Sequence, residues 1–353
     1  MERNYRIHAR LHRICGCFFI SGMSGGAKQV PARVGWKSWS TLYSCALMGL
    51  VIWLDVDVIV TKFINLLYHG DQVHHTVRVV VHSILFIRMV ITFLYAFFKS
   101  SKLLAFYLRA SAFERRIGMT FCENTAFSRF FWSDVREASL GLVYCVVYTL
   151  TLTKLPPYNQ PSDLGESLLK QVYYWLKILL TVIFYYVYDS VCTVTLRSTC
   201  EVLAEYLRRQ LRILKACLSL PDDRYLQLPG AARCVESVRL NVAYIRRLKE
   251  EINDIWGIPL TYSTFCLLVV VCGSVYEICR EGIPITQQSS LVVYTLWLLY
   301  CFVKLASASQ SLTDAMTGTV ITYTVILVQT NQRIVKSHLS DLNETSAVNH
   351  SVT

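Results

Sequence analysis

The sequence predicts an all-α, polytopic membrane protein. Three observations carry that reading. Of 353 residues, 54% are hydrophobic and only 17% are charged, too few charges to cover a water-soluble surface. The apolar residues gather into stretches close to the roughly 20 that a helix needs to cross a hydrocarbon core. The lysines and arginines fall mostly on alternate loops between those stretches. Disorder is excluded by the amount of apolar surface, and a collagen or small disulfide scaffold by ordinary glycine usage and by size.

Six stretches have the length of a span: 39–60, 79–98, 139–155, 172–196, 257–279 and 291–308. A seventh, 315–330, has 16 residues. At ~1.5 Å per residue it covers roughly 24 Å of a core ~30 Å thick. Seven transmembrane helices are therefore expected. Their orientation follows from Lys and Arg. Segment 1–38 holds 7, loop 99–138 holds 7 and loop 197–256 holds 11, against 7 on the opposite face. The richer face is the cytoplasmic one, so the N-terminus is cytoplasmic and seven spans put the C-terminus outside. The tail 331–353 carries two glycosylation sequons, at Asn343 and Asn349, in agreement with an extracellular end. Much of the +11 net charge is this orientation signal and implies no nucleic acid. The basic start followed by Ile14–Ile20 faintly resembles a signal peptide, but the apolar run is short and contains Gly16.

Five regions follow: a cytoplasmic segment 1–38, spans 1–4 in 39–196, a cytoplasmic helical hairpin in 197–256, spans 5–7 in 257–330, and an extracellular tail 331–353. The hairpin is read from periodicity. Leu196, Leu203, Leu207, Leu211, Leu214 and Leu218 lie on one helical face that continues the fourth span. Pro221-Asp222-Asp223 through Pro229-Gly230 breaks it. Val235, Val238, Val242, Ile245 and Ile252 then mark a second helix, with Lys249 as the stray polar residue, running into the fifth span. The apolar face is expected to bury against equivalent hairpins of other subunits, or against the rest of its own chain.

Several motifs are decoys. Asp223-Arg224-Tyr225 spells a G-protein-coupled receptor tripeptide, but it sits in the hairpin turn, and span 7 has no Asn-Pro-x-x-Tyr. His69, His74, His75 and His82 cluster near the first outer loop without a metal-ligand spacing. The 13 cysteines are scattered, with no CxxC pair and no disulfide framework. There is no nucleophile motif, phosphate loop or catalytic carboxylate pair. The chain reads as a non-enzyme without metal or cofactor.

Polar residues inside spans point to function. The last span holds Thr322, Tyr323, Val325, Val328 and Gln329. Tyr323 and Gln329 face protein or water, either bonding adjacent helices or lining a path. The ligand-pocket candidates are Phe86, Arg88, Tyr148, Tyr174, Lys177, Tyr276, Tyr294 and Trp297, aromatic residues with two buried cations among them. The alternative is an interfacial aromatic belt. Asp189 is placed at the inner boundary of span 4.

With seven spans, an inner N-terminus, the hairpin after span 4, Thr322-Tyr323 and Gln329 in the last span, and Ile252-Asn253-Asp254-Ile255-Trp256-Gly257 before span 5, the chain resembles the insect gustatory receptor family. That family is related to the insect olfactory receptors. The resemblance implies a tetrameric, ligand-gated cation channel in the plasma membrane of sensory neurons, a homo- or heteromer opened by a small-molecule tastant. The last span would line the pore with Gln329, and Val325 and Val328 would form an apolar gate. The hairpins would anchor the subunits, and ligand would bind in the outer halves of spans 2–6. Three positions depart from the family pattern. Thr330 stands where Phe usually follows the Gln, Thr324 where sugar-sensing members carry Glu, and only 309–314 joins spans 6 and 7 where members have a long cytoplasmic helix. The last departure raises a second possibility, a truncated, non-conducting or auxiliary subunit. A G-protein-coupled chemoreceptor is the third.

Overall fold

A computed structural model describes residues 12–16, 20–21, 33–34, 39–68, 72–118, 124–152, 168–218, 229–279 and 285–350. Seven helices account for nearly all of them: α1 Trp39–Tyr68, α2 Gln72–Phe98, α3 Ser100–Arg116, α4 Asn124–Leu152, α5 Leu168–Leu218, α6 Pro229–Cys279 and α7 Ile285–His350. A two-residue antiparallel pair, β1 Ile20–Ser21 with β2 Arg33–Val34, sets Ile20 opposite Val34. Four stretches are long and apolar enough to cross a membrane: Val79–Phe98, Trp175–Ala216, Arg233–Cys279 and Val292–Thr322. Thr41–Val56 is a shorter apolar helix.

The chain divides into two compact units. The first is Met1–Thr199 with Leu248–Ser307, and the second is Cys200–Arg247 with Ala308–Thr353. In the first unit large apolar side chains lie on the outside as well as in the core, and several charged groups are buried. Trp53, Val143, Leu268, Leu296 and Val303 are exposed, while Asp55, Arg88, Asp189, Ser263 and Glu277 are buried. Large apolar side chains on the outside suit lipid, and charged groups inside a bundle must find partners there.

Helix α3 lies in what the sequence reading treated as a loop. Leu103, Phe106, Tyr107, Ala110 and Phe113 form its buried face. Its other face carries Lys102, which donates to Asp254 Oδ2 at 2.9 Å, and Arg109, which pairs with Glu251. Asp254 therefore sits on the outside of the Ile252–Gly257 stretch, whose Ile252, Ile255 and Trp256 are buried. The Lys102 ammonium, with Lys99 behind it, holds the Asp254 carboxyl below its ordinary value.

Within the second unit the expected hairpin rows meet each other. Leu214 and Val238 pack together with Val235 and Val242 around them. Gln210 and Asn241 hydrogen-bond across the same seam at 3.1 Å. The apolar face is thus buried inside one chain at this level. The outward side carries charge pairs such as Arg212 with Glu205 and Arg239 with Glu236.

One expectation is corrected. Segment 309–314 does not turn the chain between a sixth and a seventh span. Helix α7 runs through it without a break for 66 residues, roughly 99 Å at ~1.5 Å per residue. No turn therefore separates 291–308 from 315–330. The physical reason is local. There is no Gly or Pro in 309–314, Thr313 donates to the Ser309 carbonyl at 3.0 Å, and Gln310 donates to Asp314 at 2.8 Å. Cys234 on α6 is disulfide-bonded, which cysteine spacing did not suggest.

Candidate functional site

The first unit contains a cavity of about 30 Å3 between α2, α5, α6 and α7. A water needs ~10–15 Å3 on this measure, so the cavity holds a couple of waters at most. Its polar wall is built from Arg88 on α2, Asp189, Ser190 and Thr193 on α5, and Ser263 and Thr264 on α6. Its apolar wall includes Leu260, Leu267, Trp297, Leu298, Phe302 and Leu305.

Arg88 organises the polar side. Its Nε donates to Ser263 Oγ at 3.1 Å and lies 3.3 Å from Asp189 Oδ1. Tyr294 Oη donates to Asp189 Oδ2 at 3.5 Å. A cation buried to 4% exposure between helices needs such partners. Asp189 accordingly faces Arg88 and Tyr294. Three wall hydroxyls are turned back on their own helices: Ser190 donates to the Val187 carbonyl, Thr193 to the Asp189 carbonyl and Thr264 to the Leu260 carbonyl. His12, near the start of the chain, contacts Ser190 Oγ at 3.1 Å.

Next to the cavity three of the aromatic candidates, Tyr148, Tyr294 and Trp297, gather with Tyr144 and Tyr186 into one cluster. Tyr144 stacks on Trp297 with ring centroids 4.9 Å apart and on Tyr148 at 5.6 Å. Tyr294 meets Tyr148 at 5.7 Å, and Tyr186 meets Trp297 at 5.6 Å. Gly141 makes room for this. A Cβ there would collide with the ring and hydroxyl of Tyr186, so only glycine lets α4 and α5 approach so closely.

Of the expected pocket residues, Arg88 and Trp297 line the cavity, and Tyr294 and Tyr148 stand behind it. Phe86 and Lys177 are half-buried and Tyr276 is exposed, all three away from the wall. Asp189, Ser263 and Tyr144 belong to the site although the sequence reading did not put them there. Asp189 carried a readable signal, since an acid inside a span needs a partner. The depth also differs from expectation. Leu260 to Leu267 fall in the first half of span 5, and Asp189 to Thr193 in the last half of span 4. With the expected orientation this is the cytoplasmic half, not the outer one. Thr322 donates back to the Gly318 carbonyl at 2.8 Å. Tyr174, Tyr323, Val325, Val328, Gln329, Asn343 and Asn349 lie on α5 and α7, but their side chains are outside the described residues, as are His69, His74 and His75.

A second buried polar cluster joins α1, α2 and α5. Tyr185 donates to Asp55, whose other carboxylate oxygen lies 3.7 Å from His82 Nε2.

No family model matches the chain, and no curated protein sequence does. Solved structures do. The insect olfactory receptor OR5 from Machilis hrabei, in complex with eugenol, superposes with a TM-score of 0.59 over 92% of this chain and 97% of that one, at 14% identity. The same receptor's structure described without eugenol gives 0.60 over 89% and 80%, at 13% identity. The fold is that of the insect olfactory receptors. At so low an identity, the olfactory-receptor likeness covers the arrangement of helices and not the chemistry of any site.

Proposed function

We propose that this chain is a chemoreceptor subunit of the insect olfactory and gustatory receptor type, a ligand-gated cation channel component of gustatory character. The observation that supports it most is the olfactory-receptor fold over nearly the whole chain. A small molecule binds at the cavity beside Arg88 and Trp297, and its preference for the open form shifts the equilibrium toward conduction. Four subunits assemble around a pore, the last apolar segment lines it with Gln329, and Val325 and Val328 close it by dewetting. The protein lies in the plasma membrane with its N-terminus inside.

The test is current through cells expressing this chain, with eugenol as the first ligand because OR5 is described in complex with it. A ligand-evoked current, independent of G proteins and altered in ion selectivity by Gln329→Ala, is the expected result. The absence of any current with a broad ligand panel counts against it.

A second reading draws on the unbroken α7. With no turn between 291–308 and 315–330, the chain would have one crossing where a pore-forming subunit needs two. A subunit of that kind binds ligand and assembles with complete relatives without conducting. Tags before Met1 and after Thr353 separate the readings. A hidden N-terminal tag with a stained, glycosylated C-terminal tag goes with the pore-lining reading. Two hidden tags go with the non-conducting one.

A further inference from the structure

Cys234 is disulfide-bonded and sits near the start of α6, in the second arm of the hairpin. The register of the hairpin seam points to its partner. The arms run antiparallel, with Leu214 packed against Val238 and Asn241 Nδ2 donating to Gln210 Oε1 at 3.1 Å. In such a pair each step toward the turn on one arm is matched by a step back on the other. Cys217 is seven residues beyond Gln210, and Cys234 is seven residues before Asn241. Seven residues are close to two helical turns, so both cysteines fall on the faces that carry the Gln210–Asn241 contact. Cys217 is the next-to-last residue of α5, and its side chain is outside the described residues. Its place in the register comes from the α5 backbone and from the Leu214 and Gln210 contacts behind it. The span is also right. Helix axes ~8–10 Å apart, less two Cα radii of ~2.3 Å, leave facing Cα atoms roughly 3.5–5.5 Å apart, against the ~4.4–6.8 Å of a disulfide.

The compartment gives the bond its meaning. The charge distribution puts the hairpin in the cytoplasm, where glutathione keeps thiols reduced and the disulfides that do form are transient or redox-sensing. The neighbours suit such chemistry. Arg233 precedes Cys234 and Lys215 lies two residues before Cys217, both exposed, while Glu236 is engaged by Arg239. Cations beside a thiol favour the thiolate, which is the form that attacks.

We propose that Cys217 and Cys234 are a reversible redox pair that ties the two arms of the hairpin together when the cytoplasm turns oxidising, with hydrogen peroxide as the oxidant. One thiolate attacks a peroxide oxygen, the O–O bond breaks, and a sulfenic acid forms as water leaves. The second thiol attacks that sulfur, the S–O bond breaks, and the S–S bond forms with release of a second water. Two electrons pass from the sulfurs to the peroxide. Two glutathione thiols reverse the bond and leave as glutathione disulfide. The closed form encloses the 16 residues 218–233 and limits how far the arms separate. The proposal is independent of the ligand cavity, which belongs to the first unit.

The test uses the full-length chain in cells, with free thiols alkylated at lysis and the protein digested without reduction. Brief exposure to hydrogen peroxide is expected to yield a cross-linked peptide pair containing Cys217 and Cys234, and washout to return both to thiols. Cys217→Ser and Cys234→Ser each abolish that product. In lipid nanodiscs the oxidised chain is expected to exchange amides across 200–247 roughly a hundredfold more slowly than the reduced chain, about the effect of closing a loop of ~15 residues. Cys217→Ser removes that difference. Cys234 bonded to another cysteine, or to a second chain, overturns the pairing. A 217–234 bond present before peroxide and unchanged by washout overturns the switch and makes the bond a structural one. No bond under peroxide overturns pairing and switch together. A bond that forms but leaves amide exchange equal in the two states overturns the tying of the arms.

Discussion

The two units solve the same packing problem with opposite materials. In the first, the inside holds Asp55, Arg88, Asp189 and Glu277, and the outside is Trp, Leu and Val. In the second, the hairpin seam is closed by Leu214 and Val238 and the charges point outward. Hydrocarbon and water reward these two kinds of seam differently. Against hydrocarbon, apolar side chains gain nothing by hiding, so the interior is free for polar pairs that need each other. Against water, the apolar rows must be buried and the charges cover them.

The comparison can be broken most directly at Arg88. Arg88→Leu leaves Asp189 buried without its cation, and the first unit is expected to lose about 4 kcal/mol of stability. Thermal unfolding in detergent reads it, and the added Asp189→Leu should return most of the loss. In the second unit the equivalent blow is to an apolar residue. Leu214→Ala opens the seam for roughly 3 kcal/mol, seen as faster amide exchange across 200–247. A third change tests close approach. Gly141→Ala forces Tyr186 away and costs about 2 kcal/mol, with reduced expression of folded protein as the readout. The smallest effect belongs to the outward charges of the second unit. The Arg239 guanidinium holds the exposed Glu236 carboxyl below its usual value. A depressed carboxyl contributes stability above its ordinary pKa and loses it as the pH falls through the lowered value. Glu236→Gln should therefore leave the midpoint almost unchanged near pH 7, and any small wild-type advantage should fade as the pH drops below the ordinary glutamate range. A large effect at Glu236, or none at Arg88, would remove the contrast between the units.

The sequence made some of this legible and hid the rest for identifiable reasons. The hairpin rows were readable because Leu203, Leu207 and Leu214 repeat at helical spacing, and all three are fully buried. Arg88 stood out because a cation inside a span needs a reason. Its partner did not, because a linear chain does not say which helices are neighbours, and Asp189 is 101 residues away in α5. The same applies to Ser263 and Tyr144, ordinary residues until α6 and α4 bring them to the site. Helix α3 is legible in Leu103, Phe106, Ala110 and Phe113 at helical spacing, but the basic residues on its other face are also what marks 99–138 as a cytoplasmic connection. Segment 309–314 is a linker only if the chain has seven spans. Its own residues, without Gly or Pro, favour helix.

The contact between Arg88 and Asp189 also bears on how the protein senses electrical force. A lone arginine moved across the whole membrane field would couple to voltage by ~2.3 kcal/mol per 100 mV. The two opposite charges, 3.3 Å apart, move as a dipole and carry no net charge through that field. Displacement of the pair as a unit would therefore couple only weakly to a potential across a membrane.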